Sequence, residues 1–501
     1  EIAQCLVGSE MCIRDSLLLL ILSILAFSCA VFSACTQTNI IDKDENHGKT
    51  EQTVTQLHYA SAHCDGVCDQ CGESMYTGNM SFKLSENRNY YIVSGNDLEG
   101  DIVLPAYYKG TGDDDYLPVL EAGMLNGEKL SSVAYHKNIE AAQPGIAPNM
   151  TKITVDSDNP ILKAKDGVLF SDKGKKLAWY PALCEKESYT VPSDCKEINS
   201  YAFRDVTKLG CLTVPASVEK VSFSFIYKST IDCLEILCPI DEITFYESTF
   251  REVKIESIQN FPSFENMEEL EKASVKGSYE EIRSGSFAKC INLREIELSN
   301  SYKKISVSAF ADCISLKTFS FSESVTQIES GAFSESGLIQ IDWPANVATI
   351  ATNTFAGCTG LTEFTIPETV QKIEYGAFYG CTGLTEIIIP ATVTDLAQFA
   401  FKNCTNIKKY TSYANTLLWV TEFKNMERLE IHNISEIQSF LLECTTSPVE
   451  IYLDNVKIIN QYAFYSLAPG SEIFVKEMSK PIGWDEEWCD DSVTVYWGAT
   501  F

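Results

Sequence analysis

The stretch 352–393, TNTFAGCTGLTEFTIPETVQKIEYGAFYGCTGLTEIIIPATV, states nearly the same phrase twice, with a cysteine in the same place each time. Aligning the chain on the phenylalanine of that phrase gives Phe287, Phe310, Phe333, Phe355, Phe378 and Phe401, at steps of 23, 23, 22, 23 and 23 residues. An aliphatic residue stands five before each: Ile282, Ile305, Ile328, Ile350, Ile373 and Leu396. Three after come Cys290, Cys313, Cys358, Cys381 and Cys404, and six after come Leu293, Leu316, Leu361, Leu384 and Ile407. Alternating pairs such as Phe364/Ile366 and Ile387/Ile389 follow, and Pro367 and Pro390 close the phrase.

LTEFTIP reads as a short half-buried strand, because residues two apart point to one face. YGAFYGC has the Gly and small residues of a tight turn or a single helical turn on the opposite side. One strand and one compact return cannot bury their apolar residues alone, so the units must stack and share a core. The fold class expected is a strand-rich repeat solenoid of α/β type, with short stacked β-strands, tight returns and 22–23 residues per repeat. Weaker copies extend it: Ile198 with Phe203 and Pro215, and Ile459 with Phe464. The region 216–275 is the most degenerate.

An aliphatic residue, then A-F, then C, then L-x-x-I-x-I-P resembles the BspA-like, Treponema pallidum type leucine-rich repeats of surface proteins. DGVLFSDKGKKLAWYP, from Asp166 to Pro181, resembles the hairpin that interrupts such arrays, with Lys173-Gly174 as its turn. YYIVSGNDLEGDIVLPAYYKG resembles the family's opening unit, with Met124 where its phenylalanine would stand, and WDEEWCDDSVTVYWG resembles its closing strand. The resulting layout is a leader over 1–35, a polar tether over 36–57 and a Cys-rich segment over 58–75. Degenerate repeats with the hairpin follow over 76–180, then the solenoid over 181–475 and a capping segment over 476–501.

Charge bounds the partners. Acidic residues outnumber basic ones 69 to 39, a formal net charge of -30, which excludes a nucleic-acid backbone as ligand because that affinity comes from Lys and Arg neutralising phosphates. The leader has an apolar run from Leu17 to Leu25 followed by small residues, as a secretory signal does. Phe32-Ser33-Ala34-Cys35 resembles a bacterial lipobox, with Cys35 as the lipidated residue and Cys29 behind it, although Phe32 stands where Leu is usual. This implies a lipid-anchored protein on the extracellular side of a bacterial membrane, or a secreted one. Residues 1–16 lack the basic character of a signal and read as a non-native prefix.

The cysteines of the repeat fall where the chain turns inward, a position for a small and mildly apolar side chain, and they are expected to be structural thiols. Cys358 and Cys381 occupy equivalent places in adjacent coils, near enough for a disulfide by distance, but parallel side chains disfavour one. HCDGVCDQCG places Cys64, Cys68 and Cys71 beside His63. Zinc at these four residues, a local disulfide with one leftover thiol, and no role all remain open for it. No other cofactor is expected.

Five histidines and no nucleophile, phosphate-loop or zinc-protease motif point away from an enzyme. A hidden site would need an insertion, for which 216–275 has room. DKDENHG, 42–48, departs from a calcium loop in its glycine and its last ligand, and GDDDY, 112–116, reads as a solvated acidic loop. Binding is expected instead on the outward strand positions, eight and ten after the phenylalanine. These are Glu295/Glu297, Thr318/Ser320, Gln340/Asp342, Glu363/Thr365, Glu386/Ile388 and Lys409/Thr411. The stripe is polar and mostly acidic, as any outward face must be hydrophilic, and it has no run of aromatics for stacking a polysaccharide. Trp343 is expected to point inward, and Trp484, Trp488 and Trp497 to cover the end of the core. The resemblance implies protein binding, in particular adhesion to host matrix or partner cells. A carbohydrate ligand and a structural envelope role are the alternatives.

Overall fold

The computed structural model describes residues 79–108, 117–418, 420 and 423–501. Leader, tether and Cys-rich segment, with Cys35, His63, Cys64, Cys68 and Cys71, lie outside the described residues, as do DKDENHG and GDDDY.

Each phrase of the repeat makes one coil. Its alternating residues form a strand that pairs in parallel with the same residues of the next coil. One six-stranded run comprises Lys186–Thr190, Leu209–Val214, Thr230–Ile236, Thr249–Ile258, Lys272–Gly277 and Glu295–Leu298. A second comprises Glu386–Ile389, Lys409–Ser412, Arg428–His432, Glu450–Asp454, Glu472–Val475 and Thr494–Trp497. Between them the chain continues in the same alternation, linked by a single bridge from Gln340 to Glu363. The aliphatic residues five before the phenylalanine make a second ladder, in which Ile282, Ile305 and Ile328 pair in register and Ile350, Ile373 and Leu396 do the same.

The returns are turns. Among the described residues the single helical element is a 3-10 turn at Asp172–Gly174, within the antiparallel hairpin of Val168–Ser171 and Lys176–Trp179. Glycine recurs on both sides of the repeat phenylalanine because both places are left-handed: Gly376 has φ 62° and Gly380 φ 71°. Asn353 and Lys289 occupy the equivalent places elsewhere, at φ 54° and 61°, at the steric cost a side chain bears there. The return also pairs coil to coil, with the Phe378 N–H donating to the Ala400 carbonyl at 2.8 Å.

Between strand and return the phenylalanines stack. Phe287, Phe310, Phe333, Phe355, Phe378 and Phe401 follow one another at ring separations of 5.2, 5.3, 5.9, 5.4 and 4.7 Å, with interplanar angles of 23° or less. Burying each ring contributes roughly 1.5–3 kcal/mol, and each stacked pair about 0.5–1.5 kcal/mol beyond that. A buried core runs from Val168 to Trp488, and a second cluster fills the coils from Tyr91 to Trp179.

One open question is answered and one expectation is corrected. The region 216–275 holds no insertion, for the ladder Leu212, Leu234, Val253, Ala273, Ile296 crosses it without a break. Met124 is 52% exposed and does not take the phenylalanine place; along Leu117–Leu125 it is Val119, Ala122 and Leu125 that are buried.

Candidate binding surface

The repeat cysteines are fully buried, and all are free thiols. Each thiol donates to the carbonyl of the phenylalanine one coil earlier: Cys290 to Phe264, Cys313 to Phe287 and Cys358 to Phe333 at 3.1 Å, and Cys381 to Phe355 and Cys404 to Phe378 at 3.0 Å. Sequence reading gave these residues their size and burial but missed this bond. Burial pushes the Cys290 thiol up to about 12 and that of Cys358 up to about 11. Such thiols are inert at neutral pH, since the thiolate is the nucleophile.

The binding residues expected from the sequence lie on the outward face of the strands. Glu295, Glu297, Thr318, Ser320, Gln340, Asp342, Glu363, Thr365, Glu386, Ile388 and Lys409 are exposed, while Thr411 is half-buried. Their inward neighbours, Trp343 among them, line the core. At one end of the stripe the carboxylates are held by lysines: Lys272 lies 3.3 Å from Glu295, and Lys276 3.4 Å from Glu297. Hydrogen bonds from Lys276 and then from Ser274 hold the Glu297 carboxyl below its usual range. No ion pair engages Glu363 or Glu386 among the described residues.

Further along, the face gains features that lay outside the aligned repeats. Register places Glu386, Lys409, Arg428, Glu450, Glu472 and Thr494 in one row, and Ile388, Thr411, Glu430, Tyr452, Phe474 and Tyr496 in the next. The first row floors a depression of about 580 Å³ whose charged lining is Glu386, Glu427, Glu430, Glu450 and Glu472 against Lys409 and Arg428. Arg428 is committed: its guanidinium bonds Glu430, lies 3.6 Å from Glu450 and covers the Tyr452 ring at 4.1 Å. The depression therefore presents excess negative charge. Of the sequence-derived residues it gathers Glu386, Lys409 and Thr411. The alternation of RLEIH, EIYLD and EIFV carried the same signal for Arg428, Glu430, Glu450 and Glu472.

The second row overturns the expectation that the face has no aromatic run. Tyr452 and Phe474 stack at 4.8 Å, and Phe474 and Tyr496 at 5.0 Å. Tyr452 lies between Arg428 and Phe474, and Phe474 lies between two tyrosines, so the faces of these two rings are occupied by neighbours, while Tyr496 at the end of the row is 43% exposed. The tyrosine hydroxyls donate to Glu450 at 2.9 Å and Glu472 at 2.8 Å, which orients the carboxylates of the acidic row.

The end of the core is covered as the tryptophans suggested. Trp484 and Trp488 are buried, 4.9 Å apart, and Trp484 Nε1 donates to the Val456 carbonyl at 3.0 Å; Trp497 is 37% exposed beside them. Among the described residues no group of three or more His, Cys, Asp or Glu is placed to hold a metal ion.

Comparison with known proteins follows the same lines. A family described as the BspA type leucine rich repeat region matches in six copies, over residues 180–290, 238–361, 280–408 and 349–469, together more than half of the chain. No curated protein matches. Among solved structures, a leucine-rich repeat protein from Bacteroides ovatus is 16% identical over 84% of this chain and 98% of its own, with a TM-score of 0.48. A leucine rich cell surface protein from Faecalibacterium prausnitzii is 19% identical over 67% of this chain and 93% of its own, with a TM-score of 0.33. A leucine-rich repeat protein from Eubacterium ventriosum is 18% identical over 53% of this chain and 95% of its own, with a TM-score of 0.38.

Proposed function

Because the chain belongs to the BspA-type leucine-rich repeat family, we propose that it is a cell-surface protein that binds other proteins along its open strand face, and that this binding serves adhesion to matrix proteins or partner cells. The observation that carries the proposal is the acidic depression on the second six-stranded run, where five carboxylates face two bases. Arg428 pairs with Glu430 and Glu450, Glu427 pairs with Lys408, and Glu386 and Glu472 have no ion pair among the described residues. Parallel strands repeat such side chains about every 4.8 Å across the sheet, a spacing that suits an extended basic segment of a partner protein. Anchoring through a lipid on Cys35 at the extracellular side of a bacterial membrane belongs to the same proposal, as does a binding role without catalysis. The neighbour from Faecalibacterium prausnitzii, described as a cell surface protein, supports the location.

The test is a titration of the chain, freed of its leader, over immobilised matrix proteins and a glycan panel at two salt concentrations. Saturable protein binding that weakens with salt is expected, because the Debye length shortens from about 10 Å at 0.1 M to about 3 Å at 1 M. Glycan binding without protein binding would replace the proposal with a carbohydrate role. Self-association with no ligand would replace it with a structural one.

A further inference from the structure

The thiols of Cys211 and Cys233 stand apart from the buried ladder. They lie on adjacent parallel strands, Leu209–Val214 and Thr230–Ile236, and are direct register partners. Both are half-buried and both are free. The alternation that sends Leu212, Val214, Leu234 and Ile236 into the core turns these two toward the open face. Neither is held by a backbone carbonyl as the repeat cysteines are. Register partners on neighbouring strands stand about 4.8 Å apart, inside the roughly 4.4–6.8 Å Cα separation that a disulfide spans. Unlike the fully buried Cys358 and Cys381, whose thiols are tied to carbonyls, these half-buried side chains are free to rotate out of parallel.

We propose that Cys211 and Cys233 are a redox-active pair that closes into a reversible disulfide between successive coils, with a disulfide-bearing oxidant as co-reactant. One cysteine thiolate attacks a sulfur of the oxidant, breaking its S–S bond, releasing one thiol and leaving a mixed disulfide on the chain. The second thiolate attacks the chain-borne sulfur, forms the Cys211–Cys233 bond and expels the oxidant's other thiol. The two cysteine protons end on the two thiols released, so the chain is oxidised and the oxidant reduced. Burial, then the Cys211 thiol, then Glu235 and Glu252 push the Cys233 thiol up to about 12, so its thiolate is scarce at neutral pH and closure should quicken as pH rises. The bond would staple two coils of the first six-stranded run, whereas the acidic depression lies on the second.

The experiment exposes the reduced, folded chain to oxidised glutathione, quenches with acid, blocks remaining thiols and maps tryptic peptides. The peptide over 209–220 joined to that over 229–251, lighter than their sum by two hydrogens, is the expected product. It should vanish in C211S and in C233S and persist in C238S, which controls for the other cysteine of the second peptide. Glutathione adducts on both cysteines with no joined product, or a joined product only after denaturation, would overturn the proposal.

Discussion

Replacing Cys381 by alanine tests whether the repeated cysteine is architecture. Its thiol is fully buried and donates to the Phe355 carbonyl at 3.0 Å. Losing that bond costs about 0.5–1.5 kcal/mol, toward the low end for a weak S–H donor. Losing the sulfur's volume costs a similar amount, about that of an Ile→Val deletion at 0.5–1.5 kcal/mol. The Phe355 carbonyl keeps the Cys358 N–H at 3.0 Å, so no buried acceptor is orphaned and the total stays near ~1–3 kcal/mol. Cys381→Ser discriminates between the two losses, because it keeps a donor. A serine already occupies the equivalent place in the Phe333 coil, where Ser336 is buried and lies 3.3 Å from the Cys358 sulfur. Urea unfolding of the whole chain, followed by tryptophan fluorescence, should rank wild type above serine and serine above alanine, with ligand affinity the same in all three. An alanine variant as stable as wild type would refute the packing role. Variants that keep stability and lose binding would refute the division between ladder and open face.

Other outcomes follow from single observations. Trp488→Ala removes a buried ring that meets Trp484 and Phe464 and should cost about 3–5 kcal/mol. Because coils contact only their neighbours, hydrogen exchange should then rise in Phe464–Tyr465 and Thr494–Trp497 and not in Glu295–Leu298; uniform acceleration would contradict the locality. Gly376→Ala must hold φ near 62° and bring its Cβ to 2.2 Å from Asn353 Oδ1, which then has to move, so unfolding should show a loss of at least about 1–2 kcal/mol. Stability should fall at both extremes of pH. Carboxyls such as Glu271, held below 4.5 mainly by Arg251, add stability that is present above 4.5 and lost as pH drops through their folded values. Thiols such as Cys358, raised by burial from 9.0 to about 11, add stability that is intact below 9.0 and lost as pH climbs past the folded value. Denaturant midpoints across pH check both limbs, and a flat alkaline limb would contradict the burial of the thiols.

The fold was legible wherever the period held. The phrase around Phe355 and Phe378 announces strand, turn and stacked ring, and the structure has all three. It was illegible where one letter changed. Phe264 joins the ring stack at 4.9 Å from Phe287, yet it escaped notice because Met267 stands in the cysteine's place, although Leu270, Ala273 and Val275 keep the spacing. A buried methionine fills that corner as a cysteine does, so packing tolerated what a letter match did not. The outward face was assigned correctly by alternation alone. Its acidic depression was missed because coils such as 409–428 are shorter than the repeat, so the aligned window ended at Lys409, and pairing of Arg428 with Glu430 and Tyr452 is a contact that no spacing reveals.

The most direct measurement compares two charge reversals of equal size. E386K/E472K changes the acidic row of the open face, and E247K/E335K changes two exposed turn positions on the return side, where Lys289 shows that lysine is tolerated. Dissociation constants for a bound matrix protein, taken at low salt, should rise at least about tenfold for the first pair, roughly 1.4 kcal/mol, and stay near wild type for the second. Equal weakening by both would reduce the interaction to net charge, and weakening by the return-side pair alone would place binding on the opposite face of the solenoid.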